Sequence, residues 1–165
     1  MAAKLDYAAC LGDLANAQLI EPKSPATLEE GDGTEFKWPA EKRYAGLSFI
    51  RSTIANKDIK DGTSKTYMVG EKWLQMDNYK NGSDRGDNEY FTSGMQIDTY
   101  RSTAKLYPPC ADDAPSEKQN VAKYGFGSAH PAVWQALFAD GSVQSMTFEL
   151  DAEVHRRNGT RAEGK

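Results

Sequence analysis

The chain has 165 residues with a formal net charge of −4, 39% hydrophobic and 27% charged residues, and eight Tyr, six Phe and three Trp. That length and ring content suit a single domain, residues 1–165, with a core of its own, and argue against global disorder. The charges alternate in sign with no basic stripe to neutralise a phosphate backbone, no apolar run approaches the length of a membrane span, and Met1–Asp6 has no apolar signal segment, so nucleic-acid binding and membrane crossing are both excluded as readings of this sequence.

Residues 1–20 carry a mild helical pattern through Tyr7, Leu11, Leu14 and Leu19, interrupted at Gly12-Asp13, so a helix and an irregular opening are equally open. From Glu21 to Pro39, three prolines and two glycines among acids predict a surface loop whose Phe36 and Trp38 fold back onto the core. Gly46–Ile50 reads as a short strand. The stretch 59–66 is a turn in which Asp61-Gly62 supplies the φ > 0 position. Tyr67–Leu74 is rich in β-formers and reads as a strand containing one glycine. Asp77–Asn88 is polar throughout and predicts an exposed loop, Glu89–Thr92 a short strand, 98–106 a mixed polar stretch and 108–116 another loop.

The clearest local signal is Val133–Ala139, Asp140-Gly141, then Ser142–Phe148, which predicts a β-hairpin on a two-residue turn. Such a turn pairs Phe138 with Val143, Ala136 with Ser145 and Trp134 with Thr147. Val133, Leu137, Met146 and Phe148 then share the opposite face, and both faces should be covered. Asp151 caps a short helix through Val154 and Arg157 that ends at Asn158-Gly159. Arg156, Arg157 and Arg161 form the single cluster of cations, best explained by a short or fraying helical end. The sum is a β-rich α+β domain with an antiparallel sheet, long loops and a short C-terminal helix.

The two cysteines, Cys10 and Cys110, form no C-x-x-C pair, which excludes ribbon-type zinc and thioredoxin chemistry. They are either thiols or one disulfide closing a loop of about 100 residues, worth on the order of 4–5 kcal/mol on the chain-entropy model. Ser128 and His130 invite a nucleophile–base reading, yet Gly127-Ser128-Ala129-His130 lacks the second glycine of a nucleophile elbow, and a structural His130 is expected. Asp140 and Gly141, like Asp61 and Gly62, are expected to serve their turns. Glu71, following a strand glycine, is expected to be buried against an arginine, Arg51 or Arg101. The loop oxygens of Asp77, Asp84, Asp87 and Glu89 are the one metal candidate, for calcium, although their spacing is not that of an EF-hand.

Three blocks carry a resemblance. Phe126–His130, nine residues, then Asp140-Gly141-Ser142-Val143 is one. The Asp61-Gly62-Thr63-Ser64 turn with Val69-Gly70-Glu71 is the second, and Asp151–Arg157 with Asn158-Gly159 is the third. In this order they resemble a family of planctomycete pilin-like secreted proteins, similar to the G-type pseudopilins of type II secretion. The resemblance implies a pilin-like globular head at the cell surface or outside it, normally joined to a long apolar N-terminal helix that this sequence does not show. It implies a non-enzymatic structural or interaction role, with oligomer or filament formation through that helix and contacts with other envelope proteins. It also implies that the sheet face meant to rest on the helix is either exposed or covered by the chain's own loops. The other expectations are a surface module binding glycan or polymer through Trp38, Tyr44, Trp73, Tyr79 and Tyr90, and a hydrolase using His130 and Asp140.

Overall fold

The computed structural model describes residues 4–90 and 92–163. Its strands are β1 (Tyr7–Cys10), β2 (Tyr67–Glu71), β3 (Tyr100–Arg101), β4 (Cys110–Ala111), β5 (Gly127–Ser128), β6 (Val133–Phe138) and β7 (Val143–Thr147). Its α-helices are short: α1 (Ala17–Ile20), α2 (Leu28–Asp32), α3 (Ser116–Ala122) and α4 (Ala152–Asn158). Strands β3-β1-β2-β6-β7 form one sheet in that order, and β4 and β5 a second, two-stranded one. All neighbours in the large sheet are antiparallel except β1 and β3. The α+β class is as expected. Among the described residues no helix is long and apolar enough to cross a membrane.

The opening of the chain is a strand, not a helix. Alternation in Tyr7-Ala8-Ala9-Cys10 buries Ala8 and Cys10 and leaves Tyr7 outward, and β1 lies between β2 and β3 inside the sheet. Its parallel partner β3 lies in the polar stretch 98–106, where two residues are too few to leave a periodic signal. The predicted strand at Gly46–Ile50 is irregular chain, held to the end of β1 by Gly46 N–Leu11 O (2.9 Å) and Ser48 N–Cys10 O (3.3 Å). Glu89–Thr92 is not a strand at its described residues, Phe91 lying outside them.

The hairpin forms one register away from expectation. Trp134 faces Met146, Ala136 faces Gln144 and Leu137 faces Val143. Phe138 N donates to Ser142 O (2.9 Å) and Gly141 N to Phe138 O (3.0 Å), and Gly141 has φ +86°. These are the bonds of a three-residue loop, in which a type I turn is followed by a left-handed glycine bulge. Asp140-Gly141 therefore supplies the second half of the loop. The shift of one residue exchanges the faces of β7. Met146 and Phe148 join Trp134 and Phe138 on the inner side, and Val143 is 64% exposed on the other. The hairpin is covered on one face, not two.

Two clusters make the core. Cys10, Tyr67, Phe126, Trp134, Ala136 and Phe138 form the first, beneath β1, β2 and β6. Phe126 stacks on Trp134 (centroids 5.0 Å, 12°), and His155 of α4 stands edge-on to Trp134 (5.7 Å, 83°). A Cβ at Gly70 would lie 2.6 Å from Trp134 and 2.8 Å from Phe126, so glycine in the middle of β2 is what lets the ring stack lie against the backbone. Leu11, Ile20, Tyr44, Phe49, Ile97, Ala104 and Tyr107 form the second cluster, under the long loops. Phe36 and Trp38 lie edge-to-face on each other (4.8 Å), half-buried and outside both clusters. Arg156 and Arg161 are structural ties and not part of a fraying end. Arg156 pairs with Asp13, Glu153 and Glu163, and Arg161 donates to the carbonyls of Tyr44 (2.6 Å) and Gly46 (2.7 Å).

Candidate functional site

Two of the expected signature residues meet at the end of β2. Glu71 closes that strand, and His130 sits in the short link from β5 to β6. The His130 Nε2 atom lies 3.4 Å from Glu71 Oε1, while Glu71 Oε2 accepts the backbone N–H of Gln135 at 2.7 Å. The expected arginine partner is thus replaced by a histidine and a backbone amide. Arg51 instead lies over Trp38 at 5.3 Å, and Arg101 is buried elsewhere. Ser128 Oγ donates to Val133 O (2.8 Å) and accepts from His130 N (3.1 Å), so it closes the link between the strands and its proton is committed to a carbonyl. Asp140 stands at the far end of β6 from His130 and accepts from Ser142 N and Oγ. The structure brings Glu71, Ser128 and His130 together and leaves Asp140 and Gly141 to the turn. Asp61 is buried and accepts from Glu163 N (2.8 Å), and Gly62 has φ +97°, so that pair also serves its turn.

Beside the His130–Glu71 pair lies an open cavity of about 410 Å³, lined also by Lys4, Lys72, Tyr79, Asp87 and Asp112. Its floor is a buried ionic network that the sequence reading placed on the surface. Asp84, Gly86 and Asp87 are buried, and the loop turns inward because two buried cations need oxygens. Lys72 Nζ donates to Gly86 O (2.6 Å), Asp98 O (2.9 Å) and Asp87 Oδ1 (3.1 Å). Burial, with Arg101 nearby, pushes its pKa down against the pull of Asp87. Arg101 is wholly buried and donates to Trp73 O (3.2 Å) and Tyr100 O (3.1 Å). Burial lowers its pKa to about 10, although Asp84, Asp98, Asp87 and Asp112 all favour its charge. Gly86 lies against the guanidinium so closely that a Cβ there would be 2.5 Å from Arg101 Nη2. Asp84 accepts from Gln75 N (2.6 Å) and Gly86 N (2.7 Å). Asp112 accepts from Leu74 N (3.1 Å) and from the Tyr79 hydroxyl, and burial raises its carboxyl to about 6.

Of the four calcium candidates, Asp84 and Asp87 are thus turned onto amides and lysines, while Asp77 and Glu89 are exposed. Among the described residues no group of three or more His, Cys, Asp or Glu converges as a metal site. The aromatic surface platform does not assemble either. Tyr44 and Trp73 are 1% and 2% exposed, Trp38 is half-buried, and only Tyr79 and Tyr90 are open to solvent. Cys10 and Cys110 are not joined to one another. Cys10 points into the aromatic cluster from β1, while Cys110 is on the separate two-stranded sheet, its thiol pushed up to about 11 mainly by burial. The sequence reading missed the Lys72–Arg101 network. Its one legible sign was two cations within or beside strand-like residues.

The second candidate surface is the outer face of the sheet. Tyr7 and Met68, each 46% exposed, and Val143 flank half-buried Ala9, Val69 and Leu137. A groove of about 630 Å³ between β1 and the 92–100 segment, with Tyr7, Ala9, Val69, Ile50 and Tyr100 in its walls, opens on this face. A smaller one of about 240 Å³ lies beside Met68, Val69, Leu47 and Ile59.

No curated protein and no solved structure shows a significant match to the chain. One family model, described as a protein of unknown function (DUF1559), matches residues 16–153, a span that includes β2, the Lys72–Arg101 network, the His130–Glu71 pair and the whole hairpin. This chain belongs to the DUF1559 family.

Proposed function

We propose that the chain is the globular head of a pilin-like, non-enzymatic assembly protein presented at the cell surface or outside the cell, related to the planctomycete pilin-like proteins and the pseudopilins of type II secretion that its three blocks resemble. The observation that supports this reading best is the outer sheet face, where Tyr7, Ala9, Val69, Met68 and Leu137 form an apolar strip with grooves along it. A strip of that kind, left open on one side of a sheet, marks a place where another element packs. A long apolar helix laid along β1 and β2 would cover it. The chemistry at His130 fits a structural role: its partner is an acid already committed to a backbone amide, and the nearby hydroxyl bonds a carbonyl. No cofactor is needed in this reading, because Lys72 and Arg101 already organise the acidic loop from within.

The test is photo-crosslinking in cells that produce the entire gene product. A benzoyl-phenylalanine placed at Val69 or Leu137 is expected to capture an apolar helical segment, in a fraction accessible to external protease. The same probe at Asp32, in exposed α2, is expected to capture nothing specific. Residence of the protein in the cytoplasm, or crosslinks from Asp32 equal to those from Val69, would overturn the reading.

A further inference from the structure

The large sheet ends at β7, and this edge is open. Among the described residues β7 pairs with β6 and with no second strand, and Val143, Gln144, Ser145 and Thr147 are all exposed. Phe138 N bonds Ser142 O, so the hydrogen-bonded pairs with β6 are those of Ser142, Gln144 and Met146. The N–H and C=O groups of Val143 and Ser145, and the N–H of Thr147, therefore point away from the sheet. The backbone bonds of the described residues give Val143 and Ser145 no partner on that side, and Thr147 O alone is taken, by Leu150 N at 3.3 Å. Exposed edges in folded proteins are usually blunted by a lysine, a proline or a bulge within the strand. Ser142-Val143-Gln144-Ser145-Met146-Thr147-Phe148 has no charge, proline or glycine. It is a pairing template without a guard.

The charges beyond its two ends say what can pair with it. Asp140 stands at the hairpin tip, and Glu149 and Asp151 follow the strand. All three are exposed, and no lysine or arginine occurs between Ala139 and Ala152. A second copy paired antiparallel about Ser145 would set Asp140 of each chain across from Leu150 of the other, between Glu149 and Asp151, so that acids gather at both ends. Like charges set opposite each other across strands are unfavourable. A partner strand with cations at its ends meets the opposite situation. The strand between these ends, Val143–Thr147, is five residues, or about 17 Å of extended chain at the usual strand rise.

We propose that β7 is a docking edge for an extended segment of another protein, an uncharged β-forming stretch of about six residues flanked by lysine or arginine, which adds to the sheet as a sixth strand. Main-chain bonds to Val143 and Ser145 supply the attachment, and the acidic ends supply the selection of partner and its orientation. This rests on the hairpin register and the charges around it, independently of what covers the outer face of the sheet.

The test uses fluorescein-labelled peptide KTVTVTVK against ETVTVTVE, titrated with the full chain at low and at physiological ionic strength and followed by anisotropy. The lysine-flanked peptide is expected to bind about tenfold tighter or better, with the advantage falling as salt is added. Bound, it is expected to slow amide exchange at Val143 and Ser145. Ser145→Pro removes an outward N–H and keeps the backbone bonds to β6, losing there only the side-chain pair with Gln135, and is expected to abolish binding, whereas Ser145→Ala, which loses the same side-chain pair and keeps the N–H, is expected to bind as the parent does. Val143→Lys, at an exposed position, is expected to weaken it with the unfolding midpoint unchanged. Equal affinity for the two peptides, or undiminished binding by both variants, overturns the proposal. So does a concentration-dependent dimer that Val143→Lys dissolves, since that would assign the edge to a second copy.

Discussion

His155 is 1% exposed, neither of its ring nitrogens has a hydrogen-bond partner among the described residues, and its neighbours are the rings of Tyr67, Phe126 and Trp134. Burial depresses its pKa to about 4 from 6.5. A histidine with a depressed pKa is neutral in the folded protein and free to take a proton when unfolded. Its contribution is intact above the unfolded pKa and is lost as pH falls from 6.5 toward 4, on the order of 3 kcal/mol in all. Asp112, raised to about 6, acts in the opposite sense, so the informative quantity is the difference between variants. His155→Phe is expected to show less loss of stability between pH 7 and pH 5 than the parent, measured by urea unfolding at both pH values. Gly70 supports a second prediction at this scale. Gly70→Ala pushes a methyl into the Trp134–Phe126 stack and is expected to cost about 1–3 kcal/mol. Unfolding at an unchanged denaturant midpoint would count against that packing.

At the scale of elements, the loop from Gln75 to Asp98 is folded onto the cations that flank it, Lys72 and Arg101. Lys72→Met removes the partner of Gly86 O and Asp98 O and leaves Asp87 with Lys4 alone, and breaking a buried pair in this way is expected to cost about 3 kcal/mol. The amides of Gly86, Asp87 and Glu89, which lie on that loop, are expected to exchange faster by at least the corresponding factor, read by hydrogen exchange. If calcium organised the loop instead, chelation would lower the thermal midpoint of the unaltered protein. The expected result is the same midpoint in EDTA and in excess calcium. Sequence reading failed on this loop for a specific reason. Polar composition identifies a segment that must be solvated or paired, and the lysine that takes the carbonyls of Gly86 and Asp98 lies 14 and 26 residues before them. The β1 strand was missed in a related way: four residues with two alanines give little period, and the partners Val69–Glu71 and Tyr100–Arg101 that make it a strand are far along the chain.

At the scale of the molecule, the two clusters are joined through β1, where Cys10 belongs to one and the next residue, Leu11, to the other. The halves should therefore unfold together. Leu11→Ala is expected to cost about 2–5 kcal/mol and Trp134→Ala about 3–5 kcal/mol. In each variant tryptophan fluorescence and far-ultraviolet circular dichroism are expected to give coincident transitions. Separated transitions would show two independent units in place of one.

The sequence by itself determined the α+β class, the hairpin, the capped last helix, the Asp61-Gly62 turn and the absence of any membrane-length apolar helix among the described residues, because each depends on neighbours within a few positions. The tertiary structure alone decided the hairpin register, the place of β1 inside the sheet, the pairing of Glu71 with His130 and the inward turn of the acidic loop. The physical reason is the same in each case: a hydrogen bond or ion pair between distant residues, at the hairpin those from Ala139 N to Thr66 O and from Asp140 N to Thr63 O, chose among local conformations of nearly equal energy, and nothing local records which partner will arrive.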